Sequence, residues 1–274
     1  ETWAETEKSR IGEERFRREH ECEFLIFDET LISSLVLADM EGVAPVENTG
    51  QVRWFKRPTP GNTYLTSLDP SMGTGGDYAA IQVFELPSFE QVAEWHHNQT
   101  PMNQQVRILQ GINKHIHDTI MEKDASATPQ IFYSMENNSI GEAALMRVMD
   151  IGEENIQGMF LSEPIRKGHR RKFRRGFNTT AKHKIDACTK FKELVENDKM
   201  KINSQLLISE LKDFVASGMS YNAKPGQHDD LVSACLLMTR MMKVLADFDP
   251  KIFEKWTDRT SQITPMPIFG SFTG

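Results

Sequence analysis

The chain has 274 residues, of which 39% are hydrophobic and 26% charged, a balance typical of a folded globular protein rather than a disordered or fibrous one. Its formal net charge of -7 excludes a uniformly basic surface, so binding of nucleic acid would require a local basic cluster. The cysteines Cys22, Cys188 and Cys235 lie far apart and form no zinc-binding pattern. With no apolar run of about 18 residues and a charged start, we expect neither a membrane span nor a signal peptide.

Loop-forming residues divide the chain into three predicted parts. Residues 1–60 are expected to be a linker and the end of a preceding domain, beginning with a charged helical segment at residues 5–25. The segment KRPTPGN at residues 56–62 has two prolines and a glycine and marks a loop. Residues 61–250 are predicted to form the main domain, and residues 251–274 a tail over its surface.

The predicted elements of the main domain begin with three strands joined by short connections, which favour an antiparallel meander. The strands are Tyr64–Leu68, Tyr78–Leu86 and Gln91–Asn98. There follow a helix from Met102 to about Met121, a strand at Gln130–Met135, a helix at Ile140–Met149 and a strand at Ile156–Leu161. The last elements are helices at Thr180–Asn197, Ser204–Ser217 and Asp229–Asp247. This order predicts an α/β fold with a mixed central sheet and helices on both faces, as in ribonuclease-H-like proteins.

Carboxylates stand at the ends of three of these elements. Asp69 ends the first strand, Glu136 follows the fourth, and Asp229 and Asp230 open the last helix. If the first and fourth strands are neighbours, Asp69 and Glu136 point into one crevice, which the start of the last helix can close. Each acid alone has an ordinary explanation, because Asp favours turns and acids favour helix starts. The combination is more specific than any single residue.

A cluster of carboxylates predicts a metal site, because the charges repel one another and raise their pKa values unless a cation relieves them. Mg²⁺ prefers such oxygen ligands, and two ions about 4 Å apart can promote hydrolysis of a phosphodiester. Asp77 can reach this cluster or hold the turn before the second strand, and His228 adjoins the aspartates. Both are possible auxiliary residues, and His228 has the alternative of a structural role. SMGTGG at residues 71–76 lacks the lysine and helix of a phosphate-binding P-loop.

A dense basic segment lies between the second and third acids, and no acid interrupts it from Ile165 to Lys184. Its cations are Arg166, Lys167, Arg170, Arg171, Lys172, Arg174, Arg175, Lys182 and Lys184. Such a segment can neutralise DNA phosphates without reading sequence. The alternative is a solvated charged loop with no ligand.

The stretches DPSMGTGGDYAAIQVF, YSMENNSIG and HDDLVSA together resemble the C-terminal nuclease domain of the tailed-phage large terminase, of the T4-like kind. The resemblance covers residues 64–245 and includes the basic segment. It implies a ribonuclease-H-like, metal-dependent endonuclease that cuts concatemeric viral DNA when packaging begins and ends. It also implies that Asp69, Glu136 and the pair Asp229/Asp230 bind Mg²⁺ or Mn²⁺, with two ions expected. Which of the two adjacent aspartates is the primary ligand stays open, and an acid that some members carry after the first aspartate is replaced here by Met72.

The resemblance further implies partners: viral double-stranded DNA, the terminase ATPase domain in the full-length chain, the portal of the prohead and the small terminase subunit. The expected location is the host cell cytoplasm, with transient attachment to the prohead. Two other interpretations remain at this point. One is another ribonuclease-H-like nuclease, of the junction-resolvase or transposase type, and the other is a non-catalytic module that docks on the portal.

Overall fold

The structure is a computed structural model, and it describes residues 3–11, 30–138, 140–164 and 175–248. The helices are α1 (Trp3–Ile11), α2 (Ser34–Asp39), α3 (Met102–Lys123), α4 (Gly141–Ile151), α5 (Ala181–Glu196), α6 (Gln205–Asp213) and α7 (Asp230–Phe248), with a 3-10 turn at Glu153–Asn155. The strands are β1 (Glu47–Thr49), β2 (Val52–Trp54), β3 (Thr63–Asp69), β4 (Ala79–Leu86), β5 (Glu90–His97), β6 (Gln130–Met135), β7 (Met159–Phe160), β8 (Phe214–Ser217) and β9 (Ser220–Ala223). None of the described helices is long and apolar enough to cross a membrane.

Seven of the described strands form one mixed sheet in the order β1-β2-β5-β4-β3-β6-β7. The strands β3, β4 and β5 form an antiparallel meander, which confirms the prediction from their short connections. The strand β6 then returns parallel to β3, after the crossover helix α3, with its residues in register from Thr63 opposite Gln130 to Leu68 opposite Met135. This parallel pairing makes β3 a central strand and brings the ends of β3 and β6 together.

The alternation of side chains along the central strands divides the core into two layers. Tyr64 and Leu68 of β3 pack with α3 and α4 on one face. Leu65 of β3 and Phe84 of β4 pack with α5, α6 and α7 on the other. Helices therefore cover both faces of the sheet, as predicted.

Three details differ from the sequence-based expectations. Two short strands at one end of the sheet, β1 and β2, precede residue 61, where the main domain was expected to begin, and β2 pairs with both β1 and β5. They escaped prediction because each has only three residues, too few for a clear alternation. The expected strand at Ile156–Leu161 is reduced to Met159–Phe160 at the edge of the sheet.

The expected helix at Ser204–Ser217 is wrong over its last part. The helix α6 ends at Asp213, and Phe214–Ser217 pairs with Ser220–Ala223 as a β-hairpin. Gly218 takes the left-handed conformation, φ 61°, at the turn between the strands. The predicted tail at residues 251–274 lies outside the described residues.

Candidate active site

Asp69 and Glu136 lie side by side at the carboxyl ends of two adjacent parallel strands. The last register pair is Leu68 with Met135, and each acid is the next residue of its strand. The backbone N–H of Glu136 donates to the carbonyl of Leu68 at 3.1 Å, which continues the pairing one step further. The crevice predicted from the order of the elements is therefore present.

The start of α4 holds Glu136 in place. Asn138 accepts hydrogen bonds from the amides of Ile140 and Gly141, at 3.0 and 2.7 Å, and donates to the Glu136 carboxylate at 3.2 Å. A Cβ atom on Gly141 would lie 1.8 Å from the carbonyl oxygen of Glu136, so a side chain at residue 141 would push the helix away. Glycine at this position lets the helix begin directly over the carboxylate-bearing residue.

The first turn of α7 brings Asp229 and Asp230 to the same region. The hydroxyl of Ser67, two residues before Asp69, donates to the carbonyl of Ala234 at 2.8 Å. Ala234 lies about one helical turn after Asp230. This contact fixes the beginning of α7 against the end of β3, which brings Asp229 and Asp230 close enough to influence Asp69.

The pKa values show that these carboxylates act on one another. Burial raises the pKa of Asp69 well above its ordinary value, as do the charge and hydrogen bond of Glu136 and the charges of Asp230 and Asp229. Burial and the charge of Asp229 raise the pKa of Asp230 to about 6, opposed by His228 and by a hydrogen bond from the backbone of Tyr78. The crevice is a region of negative charge that a cation would relieve.

Oxygen ligands at this crevice suit a hard divalent cation such as Mg²⁺ or Mn²⁺. Asp69 and Glu136 supply carboxylates from the sheet, and Asp229 and Asp230 supply them from α7. Across the described ranges, no three His, Cys, Asp or Glu side chains already enclose a point where a metal ion would sit. The type of donor and the mutual repulsion therefore fit a metal, whereas a closed coordination sphere is not preformed.

A cavity of about 210 Å³ is lined by Asp69 and Glu136 and also by the cationic side chains Lys184 and Arg240. Arg240 of α7 pairs with Glu163 and donates to the carbonyl of Asn178 at 3.0 Å. Lys184 of α5 places its ammonium 3.8 Å from Asp229. The cavity lining thus combines two carboxylates with a lysine and an arginine.

The basic segment is described only in part. Arg166, Lys167, Arg170, Arg171, Lys172 and Arg174 lie outside the described residues. Arg175 pairs with Glu153, Lys182 is exposed at the start of α5, and Lys184 donates to the Asn222 side chain at 2.8 Å as well as facing Asp229. The role of the segment in binding DNA stays a prediction.

The two auxiliary candidates occupy different places. Asp77 is exposed in the loop before β4, and its charge contributes to the raised pKa of Asp230. His228 places its Nδ1 atom 3.6 Å from the Asp230 carboxylate and packs its ring edge against Tyr78. Both therefore lie near Asp230, and neither contact distinguishes a ligand from a supporting residue.

Sequence reasoning missed Glu210, which lies on α6. Its Oε2 atom accepts a hydrogen bond from the backbone N–H of Val232 in the first turn of α7, at 3.1 Å. Its other oxygen lies 3.7 Å from His96 Nε2. Burial raises the pKa of Glu210 to about 9, with a further contribution from Asp230. No local signal distinguishes this glutamate, because its role depends on a contact with a helix that begins 20 residues later.

Solved structures of terminase nucleases share this fold. The large terminase nuclease of thermophilic phage G20c, with bound magnesium, superposes with a TM-score of 0.56 at 17% identity, over 76% of this chain and 95% of that one. The Thermus phage P74-26 large terminase nuclease domain gives a TM-score of 0.52 at 16% identity, over 74% and 92%. The human cytomegalovirus terminase nuclease domain, soaked with manganese and bound to an inhibitor, gives 0.50 at 12% identity, over 82% and 98%.

A comparison at the level of families agrees with the fold. The family model described as the terminase RNaseH-like domain matches residues 66–241, more than half of the chain. The matched region includes all four predicted carboxylates, Asp69, Glu136, Asp229 and Asp230. The finer expectation of a T4-like member stays a prediction. With its sheet order, its carboxylates at adjacent strand ends and this match, the chain belongs to the terminase RNaseH-like domain family.

Proposed function

We propose that this chain is the metal-dependent endonuclease of a viral DNA-packaging terminase and that Asp69, Glu136, Asp229 and Asp230 form its active site. The observation that carries the proposal is the placement of Asp69 and Glu136 at the ends of two paired parallel strands, with the two aspartates of α7 beside them. The metal-bound terminase nucleases of the same fold support it. The four carboxylates would then serve as ligands rather than as attacking groups.

The chain's own residues provide the binding and orientation that this chemistry requires. Glu136 is held by Asn138, and Asp230 by the backbone of Tyr78, so both carboxylates are oriented before a ligand arrives. When bound, divalent cations would activate water for attack and stabilise the charge that develops on the leaving oxygen. The number of carboxylates suits two ions, which we propose in preference to one.

We propose that the substrate is viral double-stranded DNA, bound without sequence preference. The cations of residues 166–184 would neutralise the phosphates of its backbone. In the full-length protein we propose further contacts with the ATPase domain, the portal of the prohead and the small terminase subunit. The place of action would be the host cell cytoplasm.

The experiment is cleavage of a supercoiled plasmid by the purified protein with Mg²⁺, with Mn²⁺ and with chelator. We expect cutting only with metal, and a loss of more than about 100-fold in Asp69→Asn and in Glu136→Gln, because loss of a ligand exceeds the effect of losing an outer-shell contact. Asp150→Asn, an exposed carboxylate of α4 paired with Arg147, is the matched control and should cut like the wild type. Equal cutting by the wild type and both site variants would identify a contaminating nuclease and end the proposal.

A further inference from the structure

The first turn of α7 is capped by an acid from another helix and not by the aspartate that precedes it. Ser233 donates its backbone N–H to the carbonyl of Asp229 at 2.7 Å, so Asp229 is the residue that precedes the helix. An aspartate in that position usually turns its own carboxylate onto the free amides two or three residues ahead. Here those amides belong to Leu231 and Val232.

Glu210, from a different helix, accepts the hydrogen bonds of these two amides instead. Val232 donates to its Oε2 atom at 3.1 Å, and the backbone of Leu231 also hydrogen-bonds to its carboxyl group. The side chain of Glu210 is only 11% exposed, so α6 delivers the acceptor from within the protein. The cap of α7 is therefore supplied across the interface between α6 and α7.

This arrangement leaves the carboxylate of Asp229 available to the crevice. One of its oxygens lies 3.8 Å from the Lys184 ammonium, and Lys184 lines the same cavity as Asp69 and Glu136. If Asp229 capped its own helix, its carboxylate would turn towards the amides and away from that cavity. Because Glu210 caps α7, the carboxylate of Asp229 is not needed for capping and can bind a ligand.

Two other roles for Glu210 fit the contacts less well. The 3.7 Å between Glu210 Oε1 and His96 Nε2 is too long for a hydrogen bond, and His96 Nε2 has no hydrogen-bond partner among the described residues. As a further metal ligand Glu210 would have only Oε1 free, because Oε2 accepts from the amide of Val232, and Oε1 lies 3.7 Å from His96 Nε2. The capping contacts therefore account best for the position of this side chain.

We propose that Glu210 is a positioning residue that caps α7 in place of Asp229 and so holds the Asp229 and Asp230 carboxylates ready for a divalent cation. The proposal rests on the proposed function, because it assumes that these aspartates bind metal. In this role residue 210 must provide a hydrogen-bond acceptor, and a negative charge is not required. Glutamine at residue 210 should therefore keep the positioning role, whereas a side chain without an acceptor should lose it.

The test measures Mn²⁺ binding by isothermal titration calorimetry in the wild type, Glu210→Ala and Glu210→Gln. Glu210→Met keeps the volume of the side chain without an acceptor and replaces the alanine variant if that protein does not fold. Ser204→Ala is the matched control for destabilisation of α6, because Ser204 caps that helix by accepting from Leu207 at 3.1 Å, and none of its described hydrogen bonds reaches α7. Plasmid cleavage is measured in parallel on every protein.

We expect the alanine or methionine variant to bind Mn²⁺ about 10- to 100-fold more weakly, as outer-shell substitutions do. Glu210→Gln and Ser204→Ala should stay within about threefold of the wild type. Unchanged affinity without the acceptor would overturn the proposal, as would an equal loss in the glutamine variant or in Ser204→Ala. A wild type that binds no Mn²⁺ would also overturn it.

Cleavage separates this proposal from the proposed function. If the wild type binds Mn²⁺ but cuts no DNA, the nuclease assignment fails, and the affinities of the Glu210 variants still decide the positioning role. If the wild type cuts with metal and the alanine variant binds Mn²⁺ normally, the nuclease assignment stands and the positioning role fails.

Discussion

Asp69 and Glu136 each follow the last paired residues of β3 and β6, Leu68 and Met135, so the two carboxyl groups lie beside each other at the ends of adjacent parallel strands. Two carboxyl groups this close can both ionise only at a cost, and the pKa of Asp69 rises accordingly. The same repulsion that makes the metal-free site unfavourable would favour binding of a divalent cation. The stability of the protein should therefore report on the site as directly as its activity does.

Replacing Asp69 by asparagine should raise the melting temperature of the metal-free protein, because it removes a charge that is poorly solvated and repelled by its neighbours. Each kcal/mol gained in the free energy of unfolding raises the melting temperature by about 2–4 °C for a chain of this size. Mn²⁺ should stabilise the wild type by mass action and the variant much less. Calorimetry with chelator and with Mn²⁺ measures both effects, and equal stabilisation of the two proteins by Mn²⁺ would argue against a metal at Asp69.

Arg240, which lines the same cavity as Asp69 and Glu136, should be important for the stability of the protein. It is 12% exposed, pairs with Glu163, donates to Thr179 at 2.9 Å and lies 5.2 Å from the Phe177 ring centre. Arg240→Ala should lower the free energy of unfolding by about 2–4 kcal/mol, because it leaves Glu163 without its cation. Arg240→Lys keeps the charge and should lose less. Urea denaturation measures both, and a change below about 0.5 kcal/mol in the alanine variant would contradict the structural role.

Glu90 should make stability depend on acid pH. Burial alone would raise the pKa of Glu90, but hydrogen bonds from Lys201, Lys56 and Asn203 outweigh it and lower the pKa to about 2, from an ordinary value of 4.5. Because the folded pKa is depressed, the contribution is full above about pH 5 and is lost as the pH falls towards 2.

The variant Glu90→Gln tests this pH dependence. Lys201 is 65% exposed and Lys56 37%, so solvent weakens the pairs. We expect the variant to be less stable than the wild type by roughly 1–2 kcal/mol at pH 7, with the difference shrinking as the pH falls below about 4.5. Urea unfolding at several pH values measures it. A difference that stays constant between pH 7 and pH 3 would show that the charge of Glu90 contributes nothing.

The basic segment should bind DNA through charge alone. Replacing Arg171 and Arg174 by glutamine should weaken binding and reduce the slope of log affinity against log salt by about 2, since each phosphate contact contributes about 0.9. The matched control is the pair Arg107→Gln and Lys114→Gln on α3, which changes the net charge equally at a groove away from the crevice. Fluorescence anisotropy across a range of salt concentrations gives the slopes. Equal slopes for the segment variant and the wild type would remove these arginines from the DNA-binding surface.

The sheet and its carboxylates were predictable because the signals are local. Asp69 and Glu136 each follow a run of apolar residues long enough to identify a buried strand, and the element order between them places those strands together. The hairpin at Phe214–Ala223 was less accessible, since Phe214 and Val215 also continue the apolar pattern of α6. The glycine in the sequence SGM at its turn is the signal that favours a hairpin over a continued helix.

The role of Glu210 could not be predicted from the sequence around it. Within α6 it is an ordinary glutamate beside the buried residues Ile208 and Leu211. Its relation to α7 arises only when tertiary packing brings Val232 within 3.1 Å. Sequence gives the candidate ligands because their spacing follows the elements, whereas the residues that orient those ligands come from packing between elements.

The most direct measurement is the anomalous scattering of manganese in crystals grown or soaked with Mn²⁺. The account predicts strong peaks between the carboxylates of Asp69, Glu136 and the pair Asp229/Asp230. Two peaks about 4 Å apart would support the proposed pair of ions, and the ligand distances would identify the primary aspartate. Fully occupied manganese elsewhere in the crystal, with no peak in reach of Asp69 and Glu136, would contradict the central claim that these carboxylates form a metal site.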